Sequence, residues 1–397
     1  MTFLRTITAT EMKYINRSAI LETLRRESPV SRTYLAERLN ISLPTVMRIV
    51  DELIDEELVR LHSKTEWSGG RRRSLVEFNP DPHVVIGVDL GGTKFFGAVA
   101  NLGGIILDEV NFVNHGTSGD ESFECVVELI EMLLNSPHLA GKHIRGIGVG
   151  APGVTLHQEG IVTWAPSLNW RDYPLKEKLT KRFSLPVMVD NDVNLAALGE
   201  LWFGAGQGYQ NVVLISVGTG IGAGIVIDGA LYRGAHEASG EVGYILPDRS
   251  FLWKEYPGFG ALELLASGTG IAERARKAAK DNGYQFVGED LTAEEVFNAA
   301  RRGEKWAKVV VDETVDYLAI AVANICSIFD PELVILGGGV ARSADLLIEP
   351  ILRRIKGVVP IKPQLVASTL GRRAAVMGAI TNVLHNTDEF YIVHKLS

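Results

Sequence analysis

Three glycine-rich turns that each follow an apolar strand, and three short helical patterns ahead of a basic tip, predict the fold class. It is α/β: an N-terminal winged helix-turn-helix on a two-lobed body of the actin-like, ribonuclease H-like kind. The length agrees, since 397 residues exceed one ordinary domain. With 46% apolar and 22% charged residues, the composition excludes wholesale disorder and coiled coil. No apolar run approaches the length of a membrane span, so no membrane partner is expected. Met1-Thr2-Phe3-Leu4-Arg5 lacks the basic-then-apolar pattern of a secretory leader. Cys125 and Cys326 are the only cysteines and lie far apart, which excludes a disulfide framework and fits a reducing cytoplasm.

The net charge of −8 argues against nucleic acid for the chain as a whole, yet the charge is unevenly placed. Residues 1–80 hold 13 Lys and Arg against 11 Asp and Glu, while the remainder holds 27 against 37. Between residues 60 and 73, Arg60, Lys64, Arg71, Arg72 and Arg73 face only Glu66. A locally basic head on an acidic body follows.

Ile20, Leu21 and Leu24 give residues 16–27 a helical apolar face that ends at Ser28-Pro29. Ser31 is placed to cap a second helix running to Leu39. Asn40-Ile41-Ser42 forms a turn. A third helix starts at Leu43 with Pro44 in its first turn, where the missing N–H costs nothing. Val46, Ile49, Val50, Leu53 and Ile54 repeat along it at helical spacing. Two helices joined by so short a turn read as helix-turn-helix. Ser42, Thr45 and Arg48, near the start of the third helix, suit phosphates and base edges. Leu58–Leu61 and Ser74–Phe78 predict two strands around the polar stretch Ser63–Arg73. Its Gly-Gly-Arg-Arg-Arg tip makes a wing in which Arg71 and Arg72 are placed to grip DNA. The competing reading is a helical pair used for dimerisation beside a solvated basic loop. Asn79-Pro80-Asp81-Pro82 reads as a linker.

In the body, the strand His83–Val88 ends in Asp89-Leu90-Gly91-Gly92-Thr93-Lys94, and the strand FFGAVAN returns. Such a turn brings backbone N–H groups against a phosphate, and Asp89 is placed to hold magnesium through water. Val212–Val217, Gly218-Thr219-Gly220-Ile221-Gly222 and Ala223–Ile227 repeat the device. Gly337-Gly338-Gly339 follows the strand Leu333–Leu336 and opens a helical stretch. Together these suggest a nucleotide held between two related halves. Val187–Val189 is a strand that leads into Asp190-Asn191-Asp192, with a helix from about Leu195. A carboxylate at such a strand end can take a proton from an attacking hydroxyl. The alternative is that Asp192 merely caps the helix.

At this point the chain resembles the ROK family of repressors and sugar kinases. SRTYLAERLNISLPTVMRIVDELIDEELV followed by GGRRR resembles the head of the family's repressors. DLGGTK, GVGAPG, VDNDVNLAALGE, VGTGIGAGIV, GEVGY and LGGG follow in family order. The resemblance implies a sugar in a kinase-like cleft, Asp192 as catalytic base, and Gly153, Asn191, Asp192, Glu241, Tyr244 and Glu263 around the sugar. It implies ATP and magnesium as possible cofactors, neither obligatory, at the DLGGTK, GTG and GGG turns. It also implies a head over residues 1–80 and a first lobe over 83–195, with 371–397 returning to it. A second lobe over 196–370 would carry sugar binding and dimerisation.

The family's structural zinc uses a His and three Cys, which stand here as Tyr244, Lys254, Tyr256 and Ala261, so no structural zinc is expected. Trp253, Tyr256 and Phe259 are expected to pack together in its place. The family string Ala-Pro-Asn-Leu reads Ala165-Pro166-Ser167-Leu168 here, which alters a further sugar contact. The expectation is a cytoplasmic, sugar-responsive repressor, a homodimer or dimer of dimers on operator DNA. An ATP-dependent sugar kinase is the alternative.

Overall fold

The computed structural model describes residues 8–68, 71–91, 94–114, 119–256, 258–281 and 291–386. In the head, α1 (Ala9–Glu27) begins earlier than the sequence pattern predicts. A two-residue strand β1 (Val30–Ser31) precedes α2 (Arg32–Leu39), which Ser31 caps by accepting from the Tyr34 N–H at 3.1 Å. Helix α3 (Leu43–Asp55) buries Val46, Ile49, Val50 and Leu53 completely. Each such side chain contributes about 1.5–3 kcal/mol. Strands β2 (Val59–Ser68) and β3 (Arg71–Phe78) form the wing, in a sheet ordered β1-β3-β2. They run further than predicted. Most of the stretch Ser63–Arg73 joins the antiparallel ladder, past an irregularity between Leu61 and Thr65. The stretch is polar at nearly every position, so no apolar alternation marks it as a strand.

The first lobe carries β4 (His83–Leu90), β5 (Lys94–Asn101), β6 (Ile106–Val113), α4 (Gly119–Leu134) and β7 (His143–Ala151). A small antiparallel sheet of β8 (Val154–Leu156), β9 (Ile161–Ala165) and β10 (Trp170–Tyr173) follows, then α5 (Leu175–Phe183) and β11 (Val187–Asn191). Helix α6 (Asp192–Phe203) leads to the second lobe. That lobe holds β12 (Val212–Val217), β13 (Ile221–Ile227), β14 (Ala230–Leu231), α7 (Glu263–Ala266), α8 (Gly268–Asp281), α9 (Ala293–Arg301) and α10 (Lys305–Phe329). It continues through β15 (Leu333–Gly337), α11 (Ala344–Arg354) and β16 (Leu365–Ala367), and α12 (Ala374–Asn386) ends the described chain.

The two large sheets repeat one plan: β11-β7-β4-β5-β6 and β16-β15-β12-β13-β14. In each, three parallel strands adjoin an antiparallel meander. Strand β4 is apolar from Val84 to Val88 because both faces are covered there. Ile86, Val88 and Leu90 meet Val126, Leu129 and Leu133 of α4, while Val85 belongs to the layer of Val376 and Ile380 of α12. Helix α12 crosses α6 at backbone contact. A Cβ on Gly378 would lie 1.7 Å from the Leu195 carbonyl oxygen, and one on Gly199 2.1 Å from that of Ala374.

The head does not hang on a free linker. Its core residues Ile20, Leu24, Ile49 and Leu53 belong to one apolar layer with Phe96, Ala98, Leu102 and Met377 of the body. The proline-rich connection is pinned: Leu102 N–H donates to the Pro80 carbonyl at 3.1 Å, and His143 N–H to that of Pro82 at 2.8 Å. No described helix is long and apolar enough to cross a membrane.

Candidate functional site: a carboxylate-lined cleft and a basic head

A cavity of about 310 Å³ opens between the lobes. Asp89 and Asp192 of the first lobe line it, with Ser216, Gly337, Gly338, Gly339 and Arg342 of the second and Arg372 of the returning segment. Each glycine turn is shaped by sterics. Gly338 has φ +79°, and a Cβ there would meet the Val217 carbonyl at 2.4 Å. At Gly218 and Gly339 a Cβ would meet open space, the condition for a backbone that cradles a ligand. Gly218 N–H donates to the Gly220 carbonyl at 2.9 Å, which closes the second turn. Thr219 offers its carbonyl to the Thr269 hydroxyl at 2.9 Å. Gly91 sits tightly against the Lys94 carbonyl, and Lys94 opens β5 in an exposed position. Gly92 and Thr93 lie outside the described residues.

Helix α6 begins at Asp192 rather than near Leu195, because Asn191 is its cap. Asn191 Oδ1 accepts from the N–H groups of Val193 at 2.9 Å and Asn194 at 3.0 Å. Its Nδ2 donates to the Gly153 carbonyl at 2.9 Å. Gly153 itself has φ +80° and presses on the Trp164 carbonyl. Capping therefore falls to Asn191. Asp192 Oδ1 accepts the Val193 N–H at 2.9 Å, and the residue lines the cleft.

Four carboxylates influence one another in sequence. Burial pushes Asp89 up to about 8, with the charge of Asp192 adding to it. Burial likewise raises Asp192 to about 7, opposed by the Val193 N–H and assisted by Glu241. Burial, then the charge of Glu263, raises Glu241. Glu263 is raised by burial against two donors, Ile221 N–H at 2.7 Å and Gly260 N–H at 3.0 Å. Those bonds tie it to the start of β13 and to the backbone at Gly260. Tyr244 stands half exposed beside Glu241 and Glu263, and its hydroxyl is raised by burial and by both charges. Asp89, the glycine cradles and Arg342 fit a nucleotide with its divalent cation.

The loop between Tyr244 and Ala261 corrects the packing expected from the sequence. Trp253 is 101% exposed and Phe259 44%, so the expected cluster of Trp253, Tyr256 and Phe259 does not form. Trp253 has φ +62°, in the left-handed region. Polar contacts hold the loop instead: Tyr256 donates to the Phe251 carbonyl at 2.9 Å, and Asp248 accepts from the Ser250 N–H at 2.6 Å. Among the described residues no group of three or more His, Cys, Asp or Glu is arranged to hold a metal.

On the head, Ser42 and Thr45 share a hydroxyl hydrogen bond of 2.8 Å at the start of α3, and Arg48 pairs with Glu52 at 3.0 Å. Leu43 and Met47 stand exposed on the same helix, 40% and 46%. Sequence reasoning passed over them as apolar residues, although an apolar contact to a thymine methyl is one way of reading DNA. Arg71 and Arg72 begin β3, and their side chains lie outside the described residues. Arg60 is committed within the wing, donating to Glu77 at 2.6 Å. Arg342 and Arg372 at the cleft were also missed. The signal for Arg372 was the basic pair Arg372-Arg373 between a strand and the last helix.

Comparison with known proteins agrees with this geometry. Residues 85–386 match the ROK family, and residues 15–60 match a winged helix-turn-helix DNA-binding family. A xylose repressor of Caldicellulosiruptor bescii is 31% identical over 96% of this chain and 98% of its own length. A glucokinase of Halalkalibacterium halodurans is 36% identical over 74% of this chain and 92% of its own. Among solved structures, a ROK family transcriptional regulator, homologue of the E. coli Mlc protein, superposes with TM-score 0.83 at 26% identity. It covers 95% of this chain and 97% of its own. A Streptomyces griseus glucokinase in complex with glucose and AMPPNP gives TM-score 0.65 at 30% identity over 75% of this chain and 98% of its own.

Proposed function

Because this chain belongs to the ROK family and carries a winged helix-turn-helix head, we propose that it is a sugar-responsive transcriptional repressor of carbohydrate-utilisation genes. The observation that supports this most is the fusion itself. A head with an exposed, hydroxyl-rich α3 start shares one apolar layer with a body holding a carboxylate-lined cleft. The glucokinase relatives cover about three quarters of the chain, whereas the repressor relative runs nearly end to end.

In this reading Ser42, Thr45 and Arg48 meet base edges and phosphates, while Arg71 and Arg72 grip the backbone from the wing. A homodimer presents two α3 helices about one DNA turn apart, on a palindromic operator in the cytoplasm. Glu241, Glu263, Tyr244 and the remaining Asn191 amide hydrogen bind the hydroxyls of a sugar, with Gly153 shaping the wall. Sugar donors relieve the repulsion among the carboxylates and draw the lobes together. By linkage, the sugar-bound body favours the arrangement that releases DNA.

One observation favours a second reading, retained sugar-kinase activity: Asp192 lines the cleft, and burial there raises its carboxyl to about 7. ATP with magnesium would supply the phosphoryl group and charge neutralisation, held by Asp89, Gly337–Gly339 and Arg342. Asp192 would accept the proton of the attacking sugar hydroxyl.

The test measures the full chain on the DNA upstream of its own gene, with and without D-xylose or D-glucose. Sugar-dependent release is expected. Absence of binding at low salt and without sugar would refute the repressor. Sugar-dependent ADP formation lost in Asp192→Asn would establish the second reading.

A further inference from the structure

Helix α6 runs from the candidate cleft to the head. Its first residue is Asp192, on the floor of the cleft. At its other end Trp202 lies beneath a head residue: the Arg25 guanidinium of α1 sits 4.8 Å from the Trp202 ring centroid. Between those ends α6 spans 12 residues, roughly 18 Å.

The helix has little freedom to absorb a displacement. Gly222 and Gly224 of β13 admit it closely, since a Cβ on Gly224 would stand 2.5 Å from Ala197 Cβ. On its other side the Leu195 carbonyl meets Gly378 of α12. Its last turn holds the segment returning from the second lobe to the first, because Glu200 accepts from the Leu370 N–H at 2.9 Å. Phe203 packs on Gly104 of the first lobe. A body packed this tightly moves α6 as a rod when the lobes shift.

The head end is equally tied. Arg25 also pairs with Glu22 at 2.9 Å, which aligns its guanidinium along α1. Arg17 of the same helix forms a two-pronged ion pair with Glu56, just beyond α3. A displacement delivered to α1 at Arg25 therefore reaches the turn that ends the DNA-reading helix.

We propose that α6 is the transmission element between cleft and head, and that Trp202 and Arg25 are the positioning pair through which sugar occupancy changes DNA affinity. This rests on the repressor reading for its biological sense, but the mechanical claim can be read without DNA.

The experiment uses the full-length protein, with D-xylose and D-glucose as probes. Calorimetry identifies which sugar binds. Hydrogen exchange over residues 17–26 is then followed with and without it, and DNA affinity is measured in both states. Wild type is expected to show sugar-dependent exchange in α1 and at least about tenfold weaker DNA binding with sugar. Trp202→Ala and Arg25→Gln should keep sugar affinity within about twofold, lose the exchange response, and cut the DNA ratio to about twofold or less. Trp202→Phe, which keeps a ring beneath Arg25, should restore most of the ratio. Arg25→Gln guards against misfolding of the tryptophan variant, because Arg25 lies on the surface of α1. Sugar binding without any exchange response in wild-type α1 would overturn the route even if DNA release persisted. So would a wild-type ratio in both variants. An exchange response without DNA release would leave the route standing and remove the repressor reading.

Discussion

Replacing Glu200 by glutamine tests how the body is held together at the crossing between its lobes. Glu200 is fully buried, and four donors converge on it. Ser368 Oγ and the Leu370 N–H at 2.9 Å serve Oε1. Thr369 Oγ1 at 3.1 Å and the Ala205 N–H at 2.7 Å serve Oε2. Glutamine keeps the shape but turns one acceptor into a donor. Either amide orientation sets the new NH₂ against one hydroxyl, which can rotate, and one backbone N–H, which cannot. One buried N–H is then unmatched, costing about 1–3 kcal/mol. The bonds at the other end lose their charge assistance, about 1–2 kcal/mol together. The expected destabilisation is about 2–5 kcal/mol, which moves the urea midpoint of the body by roughly 1 M. The assay is equilibrium unfolding followed by tryptophan fluorescence. A change below about 0.5 kcal/mol would refute the reasoning, since it would mean these donors are satisfied elsewhere.

Further outcomes follow from the same physics. Gly378→Ala drives a methyl into the Leu195 carbonyl and should cost about 1–3 kcal/mol or more in urea unfolding; an unchanged midpoint would contradict backbone contact between α6 and α12. His83 is buried at the junction of head and body, with Nε2 2.8 Å from the Glu56 carbonyl and Nδ1 accepting from Arg145 Nε at 3.1 Å. Burial first, and the neighbouring Arg145 and His143 charges, hold it below the usual histidine range, against the raising pull of the Glu56 carbonyl. The unfolded chain then binds the extra proton first, so this contribution is complete above about pH 6.5 and is lost as pH falls. The stability difference between wild type and His83→Phe should shrink on acidification below pH 6.5, and a flat difference would count against the contact. Asp192 has the opposite sign. Its raised value means the folded state holds a proton longer, so the ligand-free body loses stability as pH rises from about 4 toward 7. Asp192→Asn should be more stable than wild type at pH 8 and equal to it near pH 4, as thermal unfolding would show. Arg71→Ala with Arg72→Ala should weaken binding on all DNA sequences and flatten its salt dependence; an unchanged salt slope would take the wing out of the interface.

Much of the architecture was legible because its signals are local. The strand, glycine turn and returning strand at residues 83–101 and 212–227 each announce themselves within about 20 residues. Ser31 and Pro44 mark helix starts by chemistry that needs no distant partner. Where a local signal had two outcomes, the sequence stopped short. Both Asn191 and Asp192 suit a cap, and packing against Gly153 chose Asn191. The wing strands were under-read because their alternation is polar on polar.

Other features belong to tertiary structure alone. No sequence pattern foretells that Trp253 points into water, that Arg25 stacks on Trp202, or that the head shares its apolar layer with α12. Residues 25 and 202 are far apart along the chain, and their meeting depends on how finished elements dock. By itself the sequence determined most of the strand, turn and helix pattern and the glycines and carboxylates Asp89, Asp192 and Gly337–Gly339 that line the cleft, since those follow from backbone conformation and short-range chemistry. Only the folded packing decided which of Asn191 and Asp192 caps α6, and which side chains join cleft to head. Burial and distance set those outcomes, and both arise only once separate segments share the same space.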